Sequence, residues 1–443
     1  TGTALVNSLQ QDLYVKPHRR TMSDELEMIN KLKNGKHLNS RAYFSYNYLP
    51  SKLLTVNGSL QELNQTVMFW GATTAFSHPL DGINARYSVG NEGFTQHAEE
   101  KSSHLSLDYV QHTTKATVEL YKQNEKFNWN IHLPLALLAQ SLGNDKLQHL
   151  EFEPYLSLTY KPNAHWNVTS AYSYSEQSKD GLESWQTPLF TSYLMQKCGN
   201  GSFYSMKMHT ASLHATFKNV RYGLFASLRT GYNYCPNNML YAHQLNGIVY
   251  NSIATAYKRG GSTLYANGKL TKDFGGKVSV GLEAYFSQSN TYSLWNDNPV
   301  ANRFRNINAS ISLSYRPCVW FSVEENSYLF HTENKREQTD DSDAYNQSTN
   351  TFNHTLDLFV TPKKWVLQWK NEFYHSSDRS ASFNFFSDMS IAYKLKNSEI
   401  SLCLNNLMGN DTYERKIIKS NFTTHTVYRL RPREFIIKYS FAL

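Results

Sequence analysis

The stretch REFIIKYSFAL, residues 433–443, alternates between apolar and polar side chains with a period of two. One row of the alternation carries Phe435, Ile437, Tyr439, Phe441 and Leu443. Such a period is typical of a β-strand with one apolar and one polar face. Chain ends usually fray, so an alternation this regular predicts a strand that the rest of the fold holds in place.

The same pattern recurs from about residue 40 onward. Residues 278–286, VSVGLEAYF, and residues 308–315, NASISLSY, both place apolar side chains at every second position. Short turn sequences such as KPNAH alternate with long polar connections such as residues 332–350. Short turns on one side and long loops on the other are expected of an outer-membrane barrel. No apolar run reaches 18 residues, so the sequence does not predict a membrane-spanning helix.

The polar rows indicate a hydrated interior. They consist mainly of Ser, Thr, Asn, Gly and Tyr with single charges, whereas the apolar rows have aliphatic centres and aromatic ends. Aromatic residues make up 14% of the chain, as the aromatic girdles of a lipid-facing wall require. The charged residues expected to face the lumen are Glu151, Glu153, Arg229, Glu283, Asp357, Lys370, Glu372, Asp388 and Lys438.

The fold expected is all-β, an antiparallel transmembrane β-barrel of about 18–22 strands spanning residues 40–443. In lipid every backbone polar group must be paired, so the last strand is expected to close against the first. Residues 1–39 allow three interpretations: a loop, the first barrel hairpin or a short helix after Thr21.

The sequence does not indicate an enzyme, a cofactor or a metal site. No GxSxG, HExxH, Walker A or GxGxxG motif occurs, and the four cysteines are far apart. A hydrolase of the outer membrane would need a Ser or Asp nucleophile beside a His on the outer wall. The net charge of +8 is diffuse, which argues against nucleic acid as a partner.

The C-terminal region resembles the closing strands of TonB-dependent receptors of Bacteroidetes. The resemblance rests on LCLNNLMGNDTYERK, residues 402–416, followed by TVYRLRPREFIIKYSFAL, residues 426–443. The matching positions are Asn406, Leu407, Asn410, Tyr413, Tyr428, Arg431, Pro432 and Arg433. Residues 150–177 are similar to the middle of such barrels. The final strand also looks like the signal read by the barrel-insertion machinery.

This resemblance implies a role in the energised uptake of a scarce ligand across the bacterial outer membrane. The implied partners are outer-membrane lipid, the insertion machinery, a TonB-type energy protein acting through a plug, and a surface lipoprotein lid. Neither a plug domain nor a TonB box is recognisable, so we expect the barrel part of a longer receptor.

Two other interpretations remain open at this stage. One is a plugless passive porin or structural barrel, and the other is a soluble surface β-protein such as an adhesin. Lumen charges of both signs do not indicate which ligand would be transported.

Substitutions in the last strand test the assignment of its two faces. We expect Phe441→Asp or Tyr439→Asp to block assembly, because a charge facing mid-bilayer costs about 2–4 kcal/mol for basic residues and less for acidic ones. Ser440→Asp, on the other face, should be mild. Heat-modifiable gel mobility of membrane fractions measures assembly, and equal effects on the two faces would contradict the assignment.

Overall fold

The computed structural model describes residues 19–54, 60–178, 181–192, 194–247, 249–295, 298–337, 345–377, 383–418 and 423–441. Almost all of these residues are in β-strands. Among them, no helix has both the length and the apolar character needed to cross a membrane.

The strands are numbered along the chain. The first nine are β1 (Arg20–Lys31), β2 (His37–Leu54), β3 (Leu60–Leu80), β4 (Ile83–Glu100), β5 (Leu105–Gln123), β6 (Phe127–Leu142), β7 (Asp145–Phe152), β8 (Tyr155–Tyr160) and β9 (Trp166–Ser178). A 3₁₀ turn, Lys33–Gly35, joins β1 to β2. After β9 come the helix α1 (Gly181–Ser184) and two short strands, β10 (Leu189–Ser192) and β11 (Met195–Cys198).

Thirteen further strands complete the described chain. They are β12 (Ser205–Asn219), β13 (Leu224–Asn246), β14 (Val249–Phe274), β15 (Val278–Trp295), β16 (Asn298–Cys318), β17 (Phe321–Arg336), β18 (Tyr345–Val360), β19 (Trp365–Ser376), β20 (Phe383–Lys394), β21 (Ser398–Asn405), β22 (Thr412–Ile418), β23 (Thr423–Arg429) and β24 (Glu434–Phe441).

One antiparallel meander forms the wall. Twenty-two of the described strands belong to a single sheet, and β22 and β23 form a separate hairpin. Two of the twenty-two, β10 and β11, lie in the connection between β9 and β12. Strands β7 and β8 pair with β6 in one uninterrupted register and are halves of one wall strand. The described residues therefore supply 19 wall strands.

The first and last wall strands run in the same direction. Eighteen antiparallel steps separate β1 from β24 among the 19 wall strands. In the described chain β1 pairs with β2 and β24 pairs with β21. The predicted pairing of the last strand with the first does not occur there. An odd number of antiparallel strands leaves two edges that cannot join each other in antiparallel fashion.

The described part of the N-terminal segment is a strand and not a short helix. Met22, Leu26 and Met28 lie on one side of β1, and all twelve of its residues pair with β2. The period of two and the pairing with β2 favour a strand here, although the sequence also contains a weak helical pattern. Wall structure thus begins before residue 40, and residues 1–18 lie outside the described chain.

The two rims of the wall differ in their connections. At the short-turn rim, connections such as residues 81–82 and 319–320 have two residues, and Gly82 takes a φ of +78° in an Asp-Gly turn. At the long-loop rim, residues 179–204 and 406–433 link neighbouring wall strands. Strand β24 ends at the short-turn rim.

Aliphatic side chains cover one face of the wall, here called the outer face. Leu270 lies opposite Leu282, which lies opposite Ile311 on the next strand. These three side chains are 41%, 42% and 50% exposed. The opposite face, called the inner face, carries Lys269, Glu283 and Ser310 at the intervening positions. The alternation predicted from the sequence therefore separates an apolar face from a polar face.

Aromatic rings border the apolar band. Near the short-turn rim, the ring centroids of Phe127 and Tyr160 are 4.6 Å apart, and those of Trp365 and Tyr393 are 4.8 Å apart. Farther along the outer face, the Tyr172 ring lies 6.4 Å from that of His209. Tyr172 lies six positions after Trp166 along β9, roughly 20 Å of extended chain. Two aromatic levels around an aliphatic band are the arrangement of a lipid-facing wall.

Cysteine crosslinking tests the direction of the edge strands. In a background with the four native cysteines replaced by serine, Ser401→Cys with Lys438→Cys should form a disulfide, because these residues are register partners. Glu27→Cys with Lys438→Cys should not, because β1 and β24 run in the same direction and cannot pair in antiparallel fashion. Gel mobility after mild oxidation gives the result, and efficient β1–β24 crosslinking would show that the two edges meet directly.

Candidate functional site

The connection between β9 and β12 folds over the inner face of the wall. Residues 181–192 and 194–204 of this connection are here called the cap. The backbone N–H of Gly181 donates to Gln96 Oε1 at 2.8 Å. The Gln61 side chain accepts from the Phe190 N–H at 2.8 Å and donates to the Phe190 carbonyl at 3.0 Å. The amide of Gln61 thus pairs with the cap as a neighbouring strand would.

Apolar packing reinforces this attachment. Trp185 is 4% exposed and forms a small core with Ala98 and Leu189. Leu63 and Leu107, on the inner faces of β3 and β5, pack against the same core. Burial of a tryptophan of this extent favours the folded cap by a few kcal/mol.

The other side of the cap joins the tip of the β13–β14 hairpin. Strand β11 pairs in parallel with β14, from Met195 opposite Tyr250 to Cys198 opposite Ile253. The β13–β14 register shifts between Cys235 and Asn238, and above this shift Ala242 pairs with Leu294 of β15. At the tip the two hairpin strands therefore have different neighbours from those they have in the wall. The cap connects β3–β5 with this tip across the long-loop rim.

An ion pair and a tyrosine fix the cap to the hairpin tip. Lys197 Nζ lies 2.5 Å from Glu183 Oε1, and the Tyr241 hydroxyl donates to Glu183 Oε2 at 3.3 Å. Burial and the neighbouring Glu183 carboxylate raise the pKa of Tyr241, so its hydroxyl remains a donor at physiological pH.

A cavity opens on the inner face beside the last long loop. Its volume is about 610 Å³, within the range of small-molecule sites. Predicted lumen residues and tail-motif residues meet here. The cavity is lined by Lys370, Glu372, Tyr374, Phe386, Asp388, Asn405, Asn406, Tyr413, Leu430, Arg431, Pro432 and Glu434.

The cavity combines an aromatic wall with charges of both signs. The Tyr413 ring lies 5.6 Å from the Tyr374 ring and 6.2 Å from the Phe386 ring. The Tyr374 hydroxyl donates to Glu372 Oε2 at 2.9 Å, which orients that carboxylate. Stacking faces beside fixed carboxylates suit a ligand with a flat or ring-shaped body and polar substituents.

The tail motif holds the loop that forms this cavity. Asn406 has a φ of +52°, and its side-chain amide donates to the carbonyls of Asn410 and Arg431, both at 2.9 Å. Asn406 Oδ1 accepts from the Asn410 N–H at 3.1 Å, and Arg433 donates to the Met408 carbonyl at 3.3 Å. The tail-motif residues that carried the resemblance therefore hold the loop in place through these hydrogen bonds, which are here called the loop clamp.

The remaining motif residues act in the same loop. The Leu407 N–H donates to the Ser387 carbonyl at 2.9 Å, which ties the start of the loop to β20. The rings of Tyr413 and Tyr428, opposite each other on β22 and β23, are 6.0 Å apart. Pro432 lines the cavity beside Arg431.

The other predicted lumen residues follow the inner face by register. Asp357 lies opposite Lys370, next to the cavity, and Lys438 lies opposite Ser401. Glu283 accepts from Asn267 at 3.3 Å, and Arg229 is the register partner of Asn267, away from the cavity. Glu151 and Glu153 belong to a separate cluster near β7.

The predicted row of the closing strand lies on the outer face of β24. Its members Phe435, Ile437, Tyr439 and Phe441 are 66%, 69%, 61% and 63% exposed. Ile437 pairs with Leu402 and Tyr439 with Ile400, so the row continues the aliphatic band of β21. Leu443 lies outside the described residues.

A serine and a histidine do meet on the outer face, where the sequence analysis placed the requirement for a hydrolase. Ser327 Oγ lies 2.9 Å from His354 Nδ1, and Glu325 Oε1 lies 3.3 Å from the same nitrogen. The Ser327 hydroxyl also donates to Glu325 at 2.5 Å. A nucleophile relay needs serine and carboxylate on different ring nitrogens. This arrangement instead satisfies polar groups within the apolar band.

Solved structures with this fold come from outer-membrane receptors. The ferripyoverdine receptor of the outer membrane of Pseudomonas aeruginosa, bound to ferripyoverdine, aligns with a TM-score of 0.53 and 9% identity over 95% of this chain and 56% of its own. The FpvAI–pyocin S2 complex aligns with a TM-score of 0.52 and 10% identity over 95% and 54%. The chain thus spans little more than half their length.

No protein-family model and no curated protein match the sequence. At 9–10% identity the structural likeness shows the fold, which is that of an outer-membrane β-barrel receptor. The aliphatic outer face and its aromatic borders agree with that fold and locate the chain in the outer membrane.

Removing the Asn406 side chain tests the loop clamp. Asn406→Gly keeps the left-handed backbone accessible but removes three side-chain hydrogen bonds. We expect a loss of about 1–2 kcal/mol, seen as roughly tenfold faster trypsin cleavage in the β22–β23 hairpin on intact cells. Asn34→Gly, at φ +61° in an exposed turn, is the control. Equal cleavage rates in both variants would mean that the clamp does not hold the loop.

Proposed function

We propose that this chain forms the barrel wall of a TonB-dependent receptor and takes part in the energised uptake of a scarce ligand. The observation that carries the proposal is the cavity of about 610 Å³ on the inner face, built by the last loop at the long-loop rim. A porin needs no such built pocket, whereas a receptor must retain its ligand before transport.

The orientation of the wall supports capture from outside the cell. Barrels of the outer membrane have short periplasmic turns and longer extracellular loops. By this rule the long-loop rim, with the cap and the cavity, faces the exterior. Strand β24 then ends at the periplasmic side.

The wall is closed, in this proposal, by an odd number of further strands between β24 and β1. Both edges present unpaired backbone groups, which lipid does not tolerate. Since the two edges run in the same direction, one or three additional strands restore antiparallel pairing on both sides.

A plug is the element through which energy would be coupled. The inner face of β1–β4 has an open polar cavity of about 870 Å³, with Glu25, Arg41, Arg86 and Glu92 on its surface. Arg41 and Glu25 form an ion pair of 2.7 Å that is about half exposed. A charged and hydrated wall of this kind suits a plug domain with a polar surface, on which a TonB-type protein would act.

The ligand class follows from the cavity and from the fold. Its aromatic wall and paired charges suit a ring-containing polar molecule of the size of a metal chelate or an oligosaccharide. Ferripyoverdine is bound by one structure of this fold, and a comparable chelate is the first candidate. The cap would be the surface on which a lipoprotein lid rests, and the outer row of β24 would be the signal for insertion.

A passive porin is the second candidate, since polar side chains predominate on the inner face. Transport energetics distinguish it from a receptor. A soluble adhesin is disfavoured by the exposed aliphatic band on the outer face. Release from membranes by carbonate without detergent would favour the adhesin.

Uptake by cells carrying the intact gene, compared with a deletion strain, tests the proposal. The probes are a set of ⁵⁵Fe-siderophores, ⁵⁷Co-cobalamin and ¹⁴C-maltodextrins. We expect gene-dependent uptake of one class that stops when an uncoupler dissipates the proton gradient. Uptake that persists after uncoupling would identify a porin.

The same assay locates the site. Glu372→Gln should reduce uptake about tenfold or more below saturation, because a hydrogen bond to a charged carboxylate contributes roughly 1.5–3 kcal/mol. Glu283→Gln changes an inner-face carboxylate outside the cavity and serves as the matched control.

A further inference from the structure

The wall has a slit between β7 and β9. Strand β8 pairs with β9 up to Tyr155 opposite Ser173, whereas β7 pairs with β6 and the end of β9 pairs with β12. In the slit the Glu176 N–H donates to Glu153 Oε1 at 2.7 Å. A side-chain oxygen therefore takes the place of the carbonyl that a neighbouring strand would offer.

Three ligand-bearing side chains converge in this slit. One atom each of His149, Glu151 and Glu176 lies within 4.8 Å of the others. His149 Nε2 is already 2.9 Å from Glu151 Oε1. The side chains of Glu151 and Glu176 are 8% and 10% exposed, and that of His149 is 25% exposed.

The slit carries an excess of negative charge. Glu151, Glu153 and Glu176 bring three carboxylates into a poorly hydrated space, where like charges raise one another's energy. Lys207 Nζ is 3.8 Å from Glu176 and 46% exposed, so it offsets only part of that charge. An imidazole among these carboxylates supplies the nitrogen and oxygen donors of a transition-metal site.

We propose that His149, Glu151 and Glu176 bind one divalent transition-metal ion of the Zn²⁺ class across the slit. Zn²⁺ binds imidazole nitrogen and carboxylate oxygen at about 2.0–2.2 Å, which places neighbouring ligands roughly 3.3 Å apart. The three atoms lie within 4.8 Å of one another, so small side-chain rotations bring them to that spacing. Glu153 holds the Glu176 backbone and orients its neighbour without needing to bind the ion.

The ion would act as a structural tie. It joins β7 to β9 where the backbone ladder between these wall strands is interrupted, so its binding energy adds to the stability of the wall. This role is separate from ligand uptake and holds for a receptor or a porin.

Metal titration of the full chain, folded in detergent and stripped with a chelator, tests the site. We expect one equivalent of Zn²⁺ by calorimetry and a Co²⁺ absorption spectrum of a nitrogen–oxygen site. His149→Gln and Glu151→Gln should each weaken binding about tenfold or more. His97→Gln is the control, because His97 pairs with Asp108 at 2.6 Å in an exposed position. No binding, or equal weakening by the control, would overturn the proposal.

Thermal unfolding tests whether a metal ion or bound protons neutralise the carboxylates of the slit. Without metal, Glu151→Gln should raise the unfolding temperature, because it removes one of three repelling carboxylates. With Zn²⁺ the native protein should have the higher unfolding temperature, since only the native site gains binding energy from the ion. A variant that is more stable than the native protein in both conditions would show that protonation suffices, and the metal site would be rejected.

Discussion

Pairing of every backbone polar group inside the sheet is the constraint on which this structure depends. A strand in lipid has no water to satisfy an unpaired N–H or C=O. Between their two outer edges, the 19 described wall strands satisfy it through one antiparallel ladder from β1 to β24. Side chains extend this pairing: Glu153 receives the N–H of Glu176 where the ladder is interrupted in the slit, and Gln61 binds the backbone of Phe190 in the cap.

The alternation of side chains then divides the wall by function. The outer face presents aliphatic residues between two aromatic levels, and the inner face presents polar residues to a hydrated interior. Two structural features, the cap and the last loop, extend this wall at the long-loop rim. The cap connects β3–β5 with the β13–β14 tip, and the last loop forms a charged and aromatic cavity. In the proposed orientation, both lie at the side from which an external ligand would arrive.

Much of this was predictable from the sequence, because a period of two records which face each residue occupies. The positions of Lys370, Glu372 and Asp388 on the inner face follow from alternation within their strands. The tail motif around Asn406 indicated a resemblance, but its hydrogen-bond clamp depends on the left-handed backbone and on Arg431, 25 residues away. Periodicity carries no information of that kind.

The strand count, the contacts of the cap and the site of His149 and Glu176 could not be predicted from the sequence. Whether the first and last strands run parallel turns on an exact strand count, and interruptions such as the one between β7 and β8 make that count ambiguous. The cap has no regular period, so Trp185 and Gln96 gave no signal of their contacts. The site of His149 and Glu176 joins residues that are 27 positions apart and meet only because the wall opens between them.

At the tip of the β13–β14 hairpin both strands change their neighbours. The residues below and above the register shift are therefore under different structural constraints. Below the register shift at Cys235, each residue must fit the lipid-embedded ladder. Above it, each residue must instead fit the contacts with the cap and with water. Amino-acid replacements at the tip can therefore accumulate without disturbing the ladder of the wall, so this part of the hairpin is free to diverge while the scaffold stays intact.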